Sequence, residues 1–113
     1  MNKKILMMIL GLFAVSLKLN AGEVWTNGEQ VIKHVMWKPG YKGFYVDSST
    51  YNNPQSCSNK NLYLIDESLP KEDIDKLYAM MLLAYSNGDK VHLWLSGCHK
   101  GWPKFTGLQI NKK

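Results

Sequence analysis

The segment SGCHKGWPKF, residues 96–105, places several side chains capable of chemistry close together. Cys98 and His99 could form a nucleophilic pair or, with a second histidine, ligate a metal. The other cysteine, Cys57, lies 41 positions earlier, which is not the C-x-x-C spacing of a zinc site. No Asp or Asn flanks His99 to complete a catalytic set. We therefore expect a Cys57–Cys98 disulfide, with no metal, no cofactor and no catalytic residue.

Aromatic and amide side chains near the turns are the candidates for binding a ligand. Aromatic rings can stack on the apolar face of a sugar, and amides can hydrogen bond to its hydroxyls. The alternative is that Trp102 packs over one end of the fold and that the asparagines belong to ordinary turns. The predicted ligand-binding residues are Trp102, Tyr51, Asn52, Asn53, Tyr41 and His99.

Residues 1–21 have the pattern of a secretory signal peptide. A basic start, Met-Asn-Lys-Lys, precedes an apolar run over residues 5–17, and small residues follow. The run is shorter than the roughly 20 residues that cross a bilayer. We expect cleavage after Ala21, with Gly22 as the alternative, and a retained N-terminal anchor as the rival interpretation. The mature domain is then residues 22–113, secreted or periplasmic, without a membrane span.

The charge of the mature domain argues against nucleic acid as a partner. Lys3, Lys4 and Lys18 leave with the signal peptide, so the formal +5 falls to +2. Every basic residue is lysine, whereas arginine is the residue best suited to bidentate recognition of phosphate and guanine. We therefore expect no nucleic-acid binding.

The mature chain is also small enough to need help in folding. A domain of this size buries roughly 60 to 70% of its unfolded surface, which gives marginal stability. Export places it in an oxidising compartment, where paired cysteines form disulfides. A disulfide between Cys57 and Cys98 closes a loop of about 40 residues, and the chain-entropy model gives it about 4 kcal/mol of folding stability.

One helix and five strands are predicted. Residues 68–87 carry apolar side chains at helical spacing, from Ile74 to Tyr85, with Ser68 as N-cap and Gly88 as the left-handed stop. Alternating or apolar runs predict strands at 29–37, 43–48, 61–66, 90–96 and 105–111.

The order of these elements predicts the fold. Three strands, one helix and two strands in a small exported chain match an OB-fold, a five-stranded Greek-key barrel, here closed by one disulfide. A plain α+β sandwich is the alternative. OB-folds commonly bind ligands through loops 1–2 and 4–5. Here those loops contain Tyr41 on one side and His99 and Trp102 on the other.

The C-terminal part of the chain resembles a known family. Tyr85, Gly88 and Val91, followed by Gly101-Trp102-Pro103 and Phe105, resemble the pentamer-forming B subunits of subtilase-type AB5 toxins. The stretch 85–98 also resembles small exported bacterial proteins with an AYxxGxxVxLxxSGC core. The resemblance covers under half of the mature domain. Counterparts of the family's sugar-binding residues are missing in the first half, and the cysteines are placed differently.

The resemblance implies a non-enzymatic module that binds cell-surface glycans, with a pentameric homo-oligomer as a possible assembly. The alternative is a monomeric periplasmic inhibitor or immunity-type protein that binds another protein. An enzyme is not expected, because the acidic residues form no recognisable pair and the serines lack a nucleophile-elbow context.

Overall fold

The structure, a computed structural model, describes residues 22–112, and the predicted signal peptide lies outside the described residues. The described part of the chain is mainly β with one helix, as predicted. Its elements are β1 (Val24–Trp25), β2 (Gln30–Val31), β3 (His34–Lys38), β4 (Tyr41–Tyr45), β5 (Leu62–Ile65), α1 (Lys71–Asn87), β6 (Lys90–His99) and β7 (Trp102–Asn111).

All seven strands belong to one sheet, in the order β1-β6-β7-β5-β4-β3, with β2 also paired to β6. Most pairs are antiparallel, but β5 and β7 are parallel, with Leu64 opposite Lys104 and Ile65 opposite Phe105. A parallel pair needs a crossover between its strands, and α1 with β6 supplies it.

The described residues form seven strands in an open order, whereas five strands in a closed barrel were predicted. The predicted first strand, 29–37, is divided into β2 and β3, and β1 precedes them. The division has a structural reason, because the segment changes partner along its length. Its early part bonds to β6, whereas its later part bonds to β4.

Helix α1 begins and packs differently from the prediction. It starts at Lys71 after Pro70, and no side chain caps its N-terminus. Ser68 instead donates both its N–H and its hydroxyl to the Asp66 carboxylate. The helix ends at Gly88 as predicted, in a left-handed conformation with φ of 69°. Its buried face consists of Ile74, Leu77, Met81 and Ala84.

Two predicted core positions of the helix are therefore wrong. Leu82 is 37% exposed and Tyr85 43% exposed, while the small side chain of Ala84 is buried. The predicted apolar face of the helix was too wide, because only a narrow stripe of the helix is buried against the sheet.

The core lies between the helix and the inner face of the sheet. At its centre the Phe44 ring lies 5.7 Å from that of Tyr63 and 5.8 Å from that of Phe105. On β6 the predicted alternation is confirmed, since Val91, Leu93 and Leu95 are buried. The remaining members of the core cluster are Ile32, Val46, Ile65, Ile74, Leu77, Met81, Ala84 and Leu108.

Candidate functional site

The predicted disulfide between Cys57 and Cys98 is confirmed, with 5.7 Å between the two Cα atoms. It joins the β4–β5 loop (residues 46–61) to the end of β6. A bridged sulfur is neither a thiolate nucleophile nor a free metal ligand. Cys98 therefore anchors the neighbouring turn, and the alternative in which Cys98 and His99 act as a reactive pair is excluded for the oxidised protein.

The β4–β5 loop uses its asparagines to hold its own shape. The Asn53 side chain accepts from the Cys57 N–H at 2.9 Å and donates to the Cys57 carbonyl at 2.7 Å. The Asn52 side-chain oxygen accepts from the Asn27 N–H at 2.7 Å. Each amide thus bonds to backbone, which is the turn chemistry that such residues commonly supply.

Tyr51 is also engaged inside this loop. Its ring centroid lies 5.2 Å from that of Tyr63, and its hydroxyl donates to the Asn59 carbonyl at 3.1 Å. Burial raises the pKa of the Tyr51 phenol to about 12, and burial likewise raises the pKa of Tyr63. Three of the six predicted ligand residues, Tyr51, Asn52 and Asn53, therefore form hydrogen bonds within the protein.

The loop also supports the turn between β6 and β7. The Asn59 N–H donates to the Gly101 carbonyl at 2.7 Å, and its side chain donates to the Lys100 carbonyl at 3.3 Å. Lys100 and Gly101 both have positive φ, 51° and 91°. Two successive left-handed residues are typical of the tight turns that join antiparallel strands.

The other three predicted residues come together from two hairpins. The Tyr41 ring lies 6.0 Å from the His99 ring and 6.4 Å from the Trp102 ring, the latter in an edge-to-face arrangement. The His99 Nε2 is 2.9 Å from the Gly40 carbonyl oxygen, which joins the β3–β4 turn to the β6–β7 turn. The carbonyl oxygen can only accept, so Nε2 is the donor in that bond.

Lysines surround these rings. Lys38 Nζ lies 4.4 Å and Lys100 Nζ 4.6 Å from the centroid of the Tyr41 ring, within cation–π range. Lys42 lies 5.8 Å from the centroid of the Trp37 ring and forms a 2.8 Å salt bridge with Glu67. Trp37 itself is 57% exposed.

We call this surface the aromatic–lysine tip. Its rings offer apolar faces, and its ammonium groups offer hydrogen-bond donors. It can therefore hold a ligand that combines an apolar face with oxygen acceptors. Its members are Lys38, Tyr41, His99, Lys100 and Trp102, together with Trp37 and Lys42 on the opposite face of the β3–β4 hairpin.

Sequence reasoning missed Trp37 and Lys38 as members of the tip. A signal was present, because the KPGY turn places Lys38 directly opposite Tyr41 and Trp37 opposite Lys42 across the hairpin. Cross-strand neighbours of a predicted site residue are within contact distance by geometry alone.

A buried carboxylate, Asp66, directly follows β5. Asp66 accepts from Ser68 N–H at 2.9 Å and from the Ser68 hydroxyl at 2.7 Å, and lies 3.1 Å from Lys104 Nζ. Burial acts to raise the pKa of Asp66, but the bonds from Ser68 and the Lys104 ammonium together outweigh it, so the pKa is lowered. Asp66 thus links the end of β5 to β7 as an ion pair.

A second aromatic pair lies on the outer face of β1 and β6. The Trp25 and Trp94 rings are 5.2 Å apart in an edge-to-face arrangement. The Trp94 Nε1 donates to the Glu23 carboxylate at 3.1 Å. The contacts of Trp94 are therefore with Glu23 and Trp25.

A groove of about 300 Å³ lies between α1 and β7. Its lining is mainly apolar, and Asp73 and Lys76 are its charged members. Outside it, Leu83 is 55% exposed on the helix. The apolar residues of the groove lining are Leu69, Leu77, Met80 and Leu108.

Residues 22–112 contain no group of three or more His, Cys, Asp or Glu side chains placed to hold a metal ion. Over the same range, no helix is both long and apolar enough to cross a bilayer. Neither a protein-family model nor a curated protein matches the sequence. The resemblance to the toxin B subunits therefore stays a prediction.

Proposed function

We propose that this protein is a secreted or periplasmic, non-enzymatic binding module that binds a cell-surface glycan through the aromatic–lysine tip. The observation that supports this is the meeting of Tyr41, His99 and Trp102 from two separate hairpins. Sugar rings stack on aromatic faces, and their hydroxyls need directional partners. The rings of the tip supply the first contact, and its lysines supply the second.

The sheet order supports assigning the fold to the OB class. We treat residues 24–38 as one interrupted strand whose first part bonds to β6 and whose last part bonds to β4. Counted in this way, five strands follow one another around a barrel. Its β5–β7 pair is parallel, and α1 lies in the connection between these two strands. The two turns of the tip then correspond to the usual binding loops of that fold.

Export is part of the proposal. The basic and apolar pattern of residues 1–21 is that of a cleaved signal peptide. The Cys57–Cys98 bridge is of the kind that persists in an oxidising compartment. Intact mass of the protein purified from a periplasmic fraction tests this, since cleavage after Ala21 removes a defined mass and retention of the leader contradicts the proposal.

The glycan proposal is tested on a glycan array with the oxidised protein. Trp102→Ala should weaken binding to any sugar found by about 1 to 3 kcal/mol, because a stacked aromatic anchor is lost. The matched control is Trp25→Ala, which removes an exposed tryptophan from the other aromatic pair. Equal binding by wild type and Trp102→Ala, with the fold intact, would contradict a role for the tip.

The assembly proposed from the toxin resemblance is a ring of about five copies. Light scattering after size exclusion measures it directly. A mass near five copies supports the toxin-like arrangement, in which weak sugar sites act together. A monomer contradicts it and leaves a single low-affinity site for each molecule.

A second candidate function is the binding of another protein, as an inhibitor or immunity factor. The groove between α1 and β7 and the exposed Leu83 favour it, because exposed apolar surface commonly marks a protein interface. Leu83→Glu should abolish such a complex in a co-purification from periplasm, whereas Trp102→Ala should leave it intact. If Trp102→Ala abolishes the complex and Leu83→Glu leaves it intact, the partner protein binds at the tip.

A further inference from the structure

The aromatic–lysine tip contains cations without acidic partners. Among residues 22–112, neither Lys38 nor Lys100 forms a salt bridge, and both ammonium groups instead lie over the Tyr41 ring. Both side chains are exposed. Their charge is therefore available to an external anion.

The charge of the domain is concentrated at this end. The described residues include ten lysines and nine acidic residues, a net charge of +1. The tip has three lysines, and its one nearby carboxylate is Glu67, which is bonded to Lys42. The tip with Glu67 thus carries +2, and the rest of the described surface carries −1. A negatively charged plane would orient the molecule tip first.

The rings of the tip are of the kind found at the boundary of a bilayer. Tryptophan and tyrosine have an apolar body and a polar edge, and they concentrate at the level of lipid headgroups. Trp37 is the most exposed tryptophan of those described, and it lies on the same hairpin as Lys38. Lysine stems can lie along such rings while their ammonium groups reach outward to phosphate.

We infer that the aromatic–lysine tip docks on an anionic phospholipid surface. Trp37 and Trp102 lie at the headgroup level, and Lys38 and Lys100 face the phosphates. This contact needs no sugar, so it goes beyond the glycan proposal.

The experiment uses vesicle co-sedimentation with the oxidised protein, whose N-terminus is first recorded by intact mass. The vesicles are phosphatidylcholine with or without phosphatidylglycerol and contain no glycolipid. The wild type should bind the anionic vesicles, bind less as ionic strength rises, and not bind phosphatidylcholine alone.

Two double variants decide whether the tip is the contact. Lys38→Gln with Lys100→Gln should weaken binding roughly 30-fold, since each lysine near an anionic surface contributes about fivefold. The matched control is Lys90→Gln with Lys112→Gln, which removes the same charge from exposed positions at the other end of β6 and at the C-terminus. The control should bind within about threefold of wild type if only long-range charge is lost.

The outcomes are distinct. Absence of wild-type binding to anionic vesicles overturns the inference while leaving glycan binding open. An equal loss in both double variants also overturns it, because net charge and not the tip would then be the cause. Quenching of tryptophan fluorescence by brominated lipids gives an independent readout. The amount of fluorescence quenched by the lipids should fall in Trp37→Phe and stay at the wild-type value in Trp25→Phe.

Discussion

The aromatic–lysine tip and the β4–β5 loop contain similar side chains but use them in opposite ways. In the loop, the amides of Asn52 and Asn53 bond to backbone groups, and the Tyr51 hydroxyl bonds to a carbonyl. At the tip, the rings and lysines contact one another and remain at the surface. The same composition therefore builds a scaffold in one place and an accessible surface in the other.

The comparison shows that composition alone does not identify a binding surface. A polar side chain next to its own turn has backbone partners within reach, and these local bonds form readily. Side chains from two separate hairpins have fewer such partners, and among residues 22–112 the Lys38 and Lys100 ammonium groups of the tip form no salt bridge. Changes in the loop should therefore lower stability, and changes at the tip should affect binding.

The largest expected effect is loss of the disulfide that joins the two regions. Replacing Cys57 and Cys98 by serine should lower the free energy of unfolding by about 4 kcal/mol, because the unfolded chain regains the entropy of a 41-residue loop. Urea unfolding of both proteins measures this. A loss below about 1 kcal/mol would contradict a scaffolding role for the loop, given the usual range of such bridges.

Replacing Asp66 should have the next largest effect on stability, and the size of that effect should depend on pH. Asp66→Asn should cost about 1.5 to 3 kcal/mol near neutral pH, since bonds to a charged group are lost and Lys104 stays without its partner. The folded-state pKa is lowered, so the ion pair stabilises the fold above the unfolded pKa of about 3.9 and is lost as pH falls through the folded value.

Unfolding measured against pH checks this sign. The difference in stability between wild type and Asp66→Asn should be largest near pH 7. It should shrink in acid, where the protonated carboxyl of Asp66 and the amide that replaces it are both neutral. A difference that grows on acidification would contradict the assignment.

Asn53→Ala sharpens the comparison at the loop. Two hydrogen bonds to Cys57 are lost, and the expected cost is about 1 to 2 kcal/mol of stability. Vesicle and glycan binding should stay at wild-type levels once the protein is folded. Reduced binding with unchanged stability would instead make Asn53 a ligand residue.

The smallest expected effect on stability is at the tip. Lys38→Gln should change the free energy of unfolding by less than about 0.5 kcal/mol, because an exposed side chain with no salt bridge is replaced by one of similar length. Thermal unfolding measures this. A clear loss of stability would show that the tip, like the loop, is part of the scaffold.

Much of the fold was predictable because its signals are local. The period of α1, its stop at Gly88 and the alternation of β6 all lie within short windows of sequence. The disulfide followed from counting two cysteines in a chain with a predicted export signal. The break between β2 and β3 was not predictable, because it depends on which distant strand each half contacts.

The candidate site was half predictable for the same reason. Tyr41, His99 and Trp102 were grouped correctly, because the two turns that carry them were recognised. Tyr51, Asn52 and Asn53 were added on composition, and their hydrogen-bond partners become visible only in three dimensions. Trp37 was read as an ordinary strand residue, since its exposure depends on how far the sheet extends over the core.

The left-handed backbone of Lys100 implies a compromise between stability and activity. A side chain other than glycine, asparagine or aspartate in this conformation costs about 1 to 2 kcal/mol. Lys100→Asn should therefore raise the melting temperature and at the same time weaken vesicle binding. The two results together would show that this turn gives up stability for a cation at the surface.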